Sequence, residues 1–368
     1  MELQLSEDQE LFLDTTRKLL SVEVPIPTTR ALESDPAGFS PSYWHRGAEL
    51  GWTSMLVSEA DGGGSFSDHG LLDLVLVAEE MGKLVAPGPL VPVTLVAHAV
   101  SQAGSAEQKA AVLPGLLSGD DVAAWTGPTP IALEVAGDEI VLSGMARPVE
   151  AGAQAAHLLV AASTGAGLTH LLVPADAVGL TVTALEGLDL VRRFAEARFE
   201  EVRLPVTAVV GELGGADELG ERLLQIAVVL QCAESCGAID RVFEMTVEYL
   251  GDRYSFGRPL SSYQALKHRI ADQKVWLEAC HGIATAAARA VATDAPDAGH
   301  LVSVAKAWIG PHATELVQDC VQLHGGIGVT WEHDLHLYLR RTTVNRATYG
   351  TPEEHTDRIA TQLLGAAS

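Results

Sequence analysis

The sequence lacks both common nucleotide loops: no Gly-x-Gly-x-x-Gly and no Gly-x4-Gly-Lys-Ser/Thr occurs in its 368 residues. A phosphate-bearing ligand would therefore be held by other means. Positive charge is also scarce, with 24 lysines and arginines against 48 aspartates and glutamates and a formal charge of −24. Nucleic acid and anionic membrane surfaces both need a basic face, so neither is expected as a partner. The four cysteines (Cys232, Cys236, Cys280, Cys320) form no CxxC pair and sit in apolar helical patterns. They are expected as buried small hydrophobes in a reducing compartment. Cys232 and Cys236 could share a helix face, but no histidine close in sequence completes a zinc set, and no metal is expected. Nor is there an apolar run of ~18 residues free of charge. The N-terminus opens into the amphipathic "LSEDQELFLDTTRKLL" without a basic n-region or apolar h-region, so a cytoplasmic location is expected.

What is present is a globular composition, 47% hydrophobic and 20% charged. The length exceeds one comfortable core and implies two or three domains. Residues 1–116 carry helical spacing, opening at Ser6 as N-cap with Gln9 completing a capping box. The glycine-rich "SEADGGGSFSDHG" among these helices is either a surface connection or a ligand-facing loop. Residues 117–210 switch to short runs with β-branched residues or period-two alternation, which indicates an antiparallel β domain of small-barrel type. Residues 211–368 return to long helices, the first of roughly 38 residues and about 57 Å. Helices this long stabilise one another by lateral packing, and a C-terminal four-helix bundle is expected.

The first long helix breaks at "RYSFGRPLSSYQALKHRIADQ", residues 253–273, and resumes at once. A helix beginning near Ser261 or Ser262 would aim its unpaired N–H groups and positive dipole end at the corner. Arg253 and Arg258 add cations, Phe256 an aromatic edge, and Gln264 a bidentate amide. Such a group suits a pyrophosphate flanked by a planar ring. A plain helix-turn-helix would account for the glycine and proline but not for clustered cations in so acidic a chain.

A second stretch, "QLHGGIGVTWEHDLHLYLRR" (322–341), ends one helix at Gly325, Gly326 and Gly328 and starts the next. Together the two stretches resemble the C-terminal signatures of the FAD-dependent acyl-CoA dehydrogenases, and "AELGWTSMLVSEADGGG" and "VAEEMGKLVAPGPL" are similar to that family's N-terminal segments. The resemblance covers the whole chain. It implies FAD as cofactor, an acyl-CoA substrate, α,β-desaturation, and a corner that reaches the flavin of a neighbouring subunit. By resemblance Arg253 meets the pyrophosphate and Phe256 the adenine side, while Gln264, Gln322 and Gly326 complete the adenosine cleft. In "AAWTGPTPIALEVAGDE", Thr126 and Pro128 match the family strand behind the flavin.

Other positions depart from the pattern. Family members carry a glutamate base in a Tyr-Glu-Gly-Thr segment, where this sequence has Tyr349 before Gly350 and Thr351. A tyrosine of pKa near 10 is only about one part in a thousand ionised at pH 7. Other members place the base about seven turns before the corner, where this sequence has Ala227. Glu234, seven residues further on, lies about 20° from the same face and roughly 10 Å along. It is either a base of raised pKa or the structural partner of an arginine on a neighbouring helix. Pro148 and Glu150 stand where the family places tryptophan and threonine or serine against the flavin ring, and Glu150 would bring negative charge there. Three readings remain open. The chain is one subunit of an α2β2 heterotetramer whose homologous partner supplies the base, as in steroid- and lipid-degrading members. Alternatively it is a stand-alone enzyme using Glu234, or a flavin-free scaffold. An electron-transfer flavoprotein is the electron acceptor that the family implies.

Overall fold

The computed structural model describes residues 5–165 and 167–365. Helices α1 (Glu7–Glu23), α2 (Ile26–Ala31), α3 (Pro41–Glu49), α4 (Gly70–Lys83), α5 (Leu90–Ala103) and α6 (Ala106–Ser118) precede the sheet. Strands β1 (Ala123–Ala136), β2 (Glu139–Glu150), β3 (His157–Thr164), β4 (Gly167–Pro174), β5 (Leu180–Leu185), β6 (Phe194–Pro205) and β7 (Val209–Val210) follow. Then come α7 (Asp217–Asp252), the two-residue strands β8 (Tyr254–Ser255) and β9 (Arg258–Pro259), α8 (Gln264–Ala292), α9 (Ala298–His324), α10 (Leu335–Ala347) and α11 (Pro352–Gly365). Among the described residues the backbone forms two compact units, one within 30–74 and 87–227, the other within 5–29, 75–86 and 228–365.

In the unit holding the sheet, the expected antiparallel barrel is replaced by a mixed sheet in the order β5-β6-β2-β1-β3-β4-β7. No pairing joins β5 to β7 among the described residues. The long β1 is shared between two neighbours. Its C-terminal half pairs antiparallel with β2, from Ala132↔Ser143 to Ala136↔Glu139. Its N-terminal half pairs parallel with β3, starting at Ala123↔His157. The chain crosses over between Glu150 and His157, so β3 returns in the direction of β1. Alternate residues Ile140, Leu142, Leu158, Val160, Leu171 and Val173 fill one buried cluster, as the period of two requires.

The glycine-rich connection before α4 is pinned from inside. Buried Asp73 accepts the N–H groups of Phe66 and Ser67, each at 2.9 Å. Asp61 Oδ2 accepts Ser58 Oγ and Ser101 Oγ at 2.8 Å and Lys109 Nζ at 3.0 Å. Gly63 is forced by space, since a Cβ there would lie 2.1 Å from Val57 O. These bonds make the segment a structural connection.

In the other unit the expected capping box is formed: Gln9 N donates to Ser6 Oγ at 3.2 Å, and Ser6 N donates to Gln9 Oε1 at 3.1 Å. The C-terminal block holds five helices among the described residues rather than four, because breaks at 325–329 and 349–350 divide its last third. The 36-residue α7 is long and apolar enough to cross a membrane, but 83% of that window is buried in the protein. Helices α4 and α7 touch through their backbones. A Cβ on Gly82 would lie 2.0 Å from Glu234 O, and one on Gly237 would lie 1.8 Å from Glu79 O. Only glycine permits this reciprocal approach.

Two tests follow from this packing. Gly237→Ala should lower stability by about 1–3 kcal/mol. Gly282→Ala, on a face where an added Cβ meets nothing within 4 Å, should be neutral or raise it by about 1 kcal/mol. Urea melts of both variants and the parent compare these directly. The second test concerns His170, fully buried in β4, whose imidazole burial pushes down to about 4. An unfolded histidine titrates near 6.5, so below that pH the unfolded chain takes up a proton that the folded sheet refuses. Stability should be full above about pH 6.5 and decline toward pH 4. A His170→Gln variant should show a shallower decline in the same melts.

Candidate functional site

The corner after α7 is a two-residue β-hairpin. Tyr254 pairs with Pro259 and Ser255 with Arg258, leaving Phe256 and Gly257 as the turn with φ of +50° and +81°. Positive φ at both turn positions matches the right-handed twist of the flanking strands. Glycine adopts it freely, whereas Phe256 is strained by about 1–2 kcal/mol. Burial does not offset that strain, because Phe256 is 97% exposed.

Helix α8 starts at Gln264, later than Ser261 or Ser262, after a 3-10 turn over Leu260–Ser262. Neither serine caps it. Ser262 Oγ donates to Pro259 O at 2.7 Å, and the cap residue Tyr263 donates its hydroxyl to Ser255 O at 2.8 Å. The Arg258 guanidinium lies 3.8 Å from the centre of the Tyr263 ring, a cation–π contact that fixes one of the two expected cations. The other, Arg253, is exposed, and its guanidinium has no hydrogen-bond or ion-pair partner among the described residues.

The second signature lies against the same end of α7. Tyr249, one turn before Arg253, stacks on His324 with ring centres 4.4 Å apart. Its hydroxyl donates to His324 O at 3.1 Å. Beyond His324 the chain turns at Gly325 and Gly326, where an added Cβ would meet nothing within 4 Å. Gln264 and Gln322 are exposed, and their amides have no partner among the described residues. Gln322 lines an open groove of about 510 Å³ with Arg269, Gln273, Trp276 and Asp319. In that groove Arg269 pairs with Asp319, its Nε donating to Oδ2 at 2.9 Å. The free guanidinium, free amides and bare glycine backbone fit an anionic, planar nucleotide end.

The base positions look different. Ala227 is fully buried in α7. Tyr349 sits at φ +57°, followed by Gly350 at +92°. Its carbonyl is engaged by His355 Nε2 at 3.1 Å. Buried Lys306 holds the preceding turn, donating to Thr348 O at 2.6 Å, to Gln231 Oε1 at 2.9 Å, and also to Asn345 O. Glu234 is buried, and Arg341 Nη1 donates to its Oε1 at 2.6 Å. Asn345 Nδ2 donates to its Oε2 at 2.9 Å. Arg341 in turn reaches Ala86 O at 3.1 Å and Val85 O at 3.4 Å. Lys306, Arg341 and Asn345 were missed by the sequence reasoning. The available signals were a lone lysine within "VSVAKAWIG" and the four-residue spacing of Arg341 and Asn345.

In the sheet unit, Thr126 is buried, and its hydroxyl accepts Ala161 N at 3.0 Å and donates to Gly127 O at 3.1 Å. It locks β1 to β3. The charge of Glu150 is matched by Arg192, whose Nε lies 3.3 Å from Oε1 with both side chains under 10% exposed. The concern raised by a bare carboxylate at that position is therefore removed.

Removing one partner of a buried ion pair leaves the other uncompensated. Glu234→Gln should destabilise the protein by about 3–5 kcal/mol, and a Glu234→Gln, Arg341→Met double variant should recover part of the loss, both measured by urea denaturation.

Residues 6–120 match the acyl-CoA dehydrogenase N-terminal domain and residues 219–364 the acyl-CoA dehydrogenase C-terminal domain. The chain is 29% identical over 362 residues to acyl-CoA dehydrogenase IpdE2 of Mycolicibacterium smegmatis, covering 98% of this chain and 100% of that protein. It is 30% identical over 361 residues to IpdE2 of Mycobacterium tuberculosis, covering 97% and 98%. Among solved structures, the ChsE4-ChsE5 complex from Mycobacterium tuberculosis matches with a TM-score of 0.89 and 25% identity over 99% of each chain. A variant of the Tcur3481-Tcur3483 steroid ACAD matches with a TM-score of 0.88 and 28% identity, covering 98% of this chain and 99% of that one. The chain belongs to the acyl-CoA dehydrogenase family, FAD-dependent oxidoreductases that act on acyl-CoA.

Proposed function

We propose that this chain is one subunit of a heteromeric acyl-CoA dehydrogenase, in which it completes an FAD site and a homologous partner supplies the catalytic base. One contrast carries the reading. The nucleotide-facing set Arg253, Gln264 and Gln322 is exposed and without partners among the described residues. The proton-abstracting set is missing: Ala227 and Tyr349 are not carboxylates, and Glu234 is tied to Arg341 and Asn345. A base must accept a proton from the carbon next to the thioester. Glu234, with both oxygens engaged by buried donors, is a structural residue.

FAD, when bound, accepts the hydride from the β carbon of the substrate. Arg253 would neutralise the pyrophosphate and Phe256 would cover the adenine side. Gln264 and Gln322 supply amide hydrogen bonds, and Gly326 lets the backbone approach the adenosine closely. In the sheet unit, Thr126 fixes the β1–β3 pairing of the strand that the family resemblance places behind a flavin. Two relatives support the assembly and the substrate class: the ChsE4-ChsE5 complex and the Tcur3481-Tcur3483 steroid ACAD. The assembly is α2β2, the acyl group derives from a steroid or related lipid, and an electron-transfer flavoprotein reoxidises the flavin in the cytoplasm.

Purified alone, the chain should be colourless. Co-purified with its partner, it should carry flavin absorbance and desaturase activity. A charge-assisted hydrogen bond contributes about 1.5–3 kcal/mol, so Arg253→Ala in the complex should weaken FAD binding by roughly 10–100-fold. Full flavin content in that variant complex would contradict the role given to the corner, and a yellow, active chain without a partner would contradict the assembly.

A further inference from the structure

We infer that Glu79, Asp240 and His281 form a binding site for one divalent transition-metal cation, with zinc the best chemical fit. Each residue comes from a different helix, α4, α7 and α8, and their three ligand atoms lie within 4.8 Å of one another. The inference is independent of the flavin assignment.

The reciprocal glycine contact builds this cluster. Glu79 lies three residues before Gly82 and Asp240 three residues after Gly237, so each carboxylate stands one turn from the close crossing of α4 and α7. His281 approaches from α8, its Nε2 2.9 Å from Asp240 Oδ1. Glu79 is the unusual member. The ammonium of Lys83 is 3.7 Å away, beyond hydrogen-bond reach, and sits closer to Glu80, at 2.9 Å. Among the described residues no hydrogen bond reaches the Glu79 carboxylate. A half-buried carboxylate without a donor, facing a second carboxylate and an imidazole, calls for a positive charge between them.

Burial raises the Glu79 carboxyl, and the bond to Asp240 raises His281. The other titratable groups nearby are Lys83 and Glu80 on α4, Cys236 on α7, and Glu278 and Cys280 on α8. Two carboxylate oxygens and one imidazole nitrogen match zinc with a fourth position left for water. Magnesium and calcium prefer six or more oxygens and are poorly served. The three side chains retain 21–29% of their surface, so an ion can enter without unfolding.

Zinc coordination needs an imidazole lone pair and ionised carboxylates, so zinc affinity should be higher at alkaline than at acidic pH. The test uses the full chain, stripped with a chelator and titrated with zinc chloride against a chromophoric competitor at pH 6 and pH 8. One zinc per chain is expected, tighter at pH 8, with magnesium chloride unable to displace it and Tm raised by saturating zinc. Glu79→Gln removes a carboxylate that accepts no hydrogen bond, so it should fold normally and weaken zinc by about tenfold or more. His281→Gln should do the same. Absence of saturable zinc binding would overturn the inference. Unchanged affinity and stoichiometry in folded Glu79→Gln would also overturn it by placing the metal elsewhere.

Discussion

The buried pair of Glu234 and Arg341 is the interaction on which the helical unit depends. Placing two full charges in a core is unfavourable unless geometry and further hydrogen bonds compensate. Here the second carboxylate oxygen takes Asn345 Nδ2, and the guanidinium reaches two backbone carbonyls, Val85 and Ala86, just beyond α4. Val85 has φ +49°, a conformation disfavoured for a β-branched residue. The Arg341 contacts help to hold it there. One charge pair thus joins α7, α10 and the end of α4.

A similar arrangement lies one helical turn away. Lys306 donates to the carbonyls at the C-terminal end of α10, where the helix dipole favours a cation. His355 secures the next carbonyl from the other side. The loop that bears the base in many relatives is therefore held firmly here, although its side chain is a tyrosine.

Local features were legible in the sequence and long-range pairings were not. Ser6 and Gln9 announce their capping box because all its atoms lie within four residues. The helix, strand and helix order followed from periodicity. The direction of β3 did not, since a parallel partner for β1 depends on a crossover that leaves no periodic trace. The hairpin at Phe256–Gly257 was legible as a break but not as a pair of strands two residues long. Glu234 was correctly flagged as requiring either a partner or an unusual pKa. Its actual partner lies 107 residues away, and a single sequence cannot select Arg341 from the 24 lysines and arginines. Arg192, which neutralises Glu150, was hidden for the same reason. The glycines at 82 and 237 have no distinctive motif, because their requirement arises from a second helix.

The electrostatics of the corner carry one more step. In a chain of net charge −24, an exposed cation usually finds an acidic neighbour, as Arg17, Arg147, Arg203 and Lys274 do here. Arg253 has none among the described residues, and it adjoins a turn that holds an exposed phenylalanine in a strained conformation. The exposed aromatic ring incurs a penalty in water, and the solvated guanidinium beside it is available to an anion, so an anionic aromatic ligand would use both. A turn selected only to reverse the chain would place asparagine or glycine at 256 and tolerate any polar residue at 253. Strain, exposure and isolated charge together are not accounted for by chain reversal, and they are what the proposed contact with an anionic aromatic ligand would use.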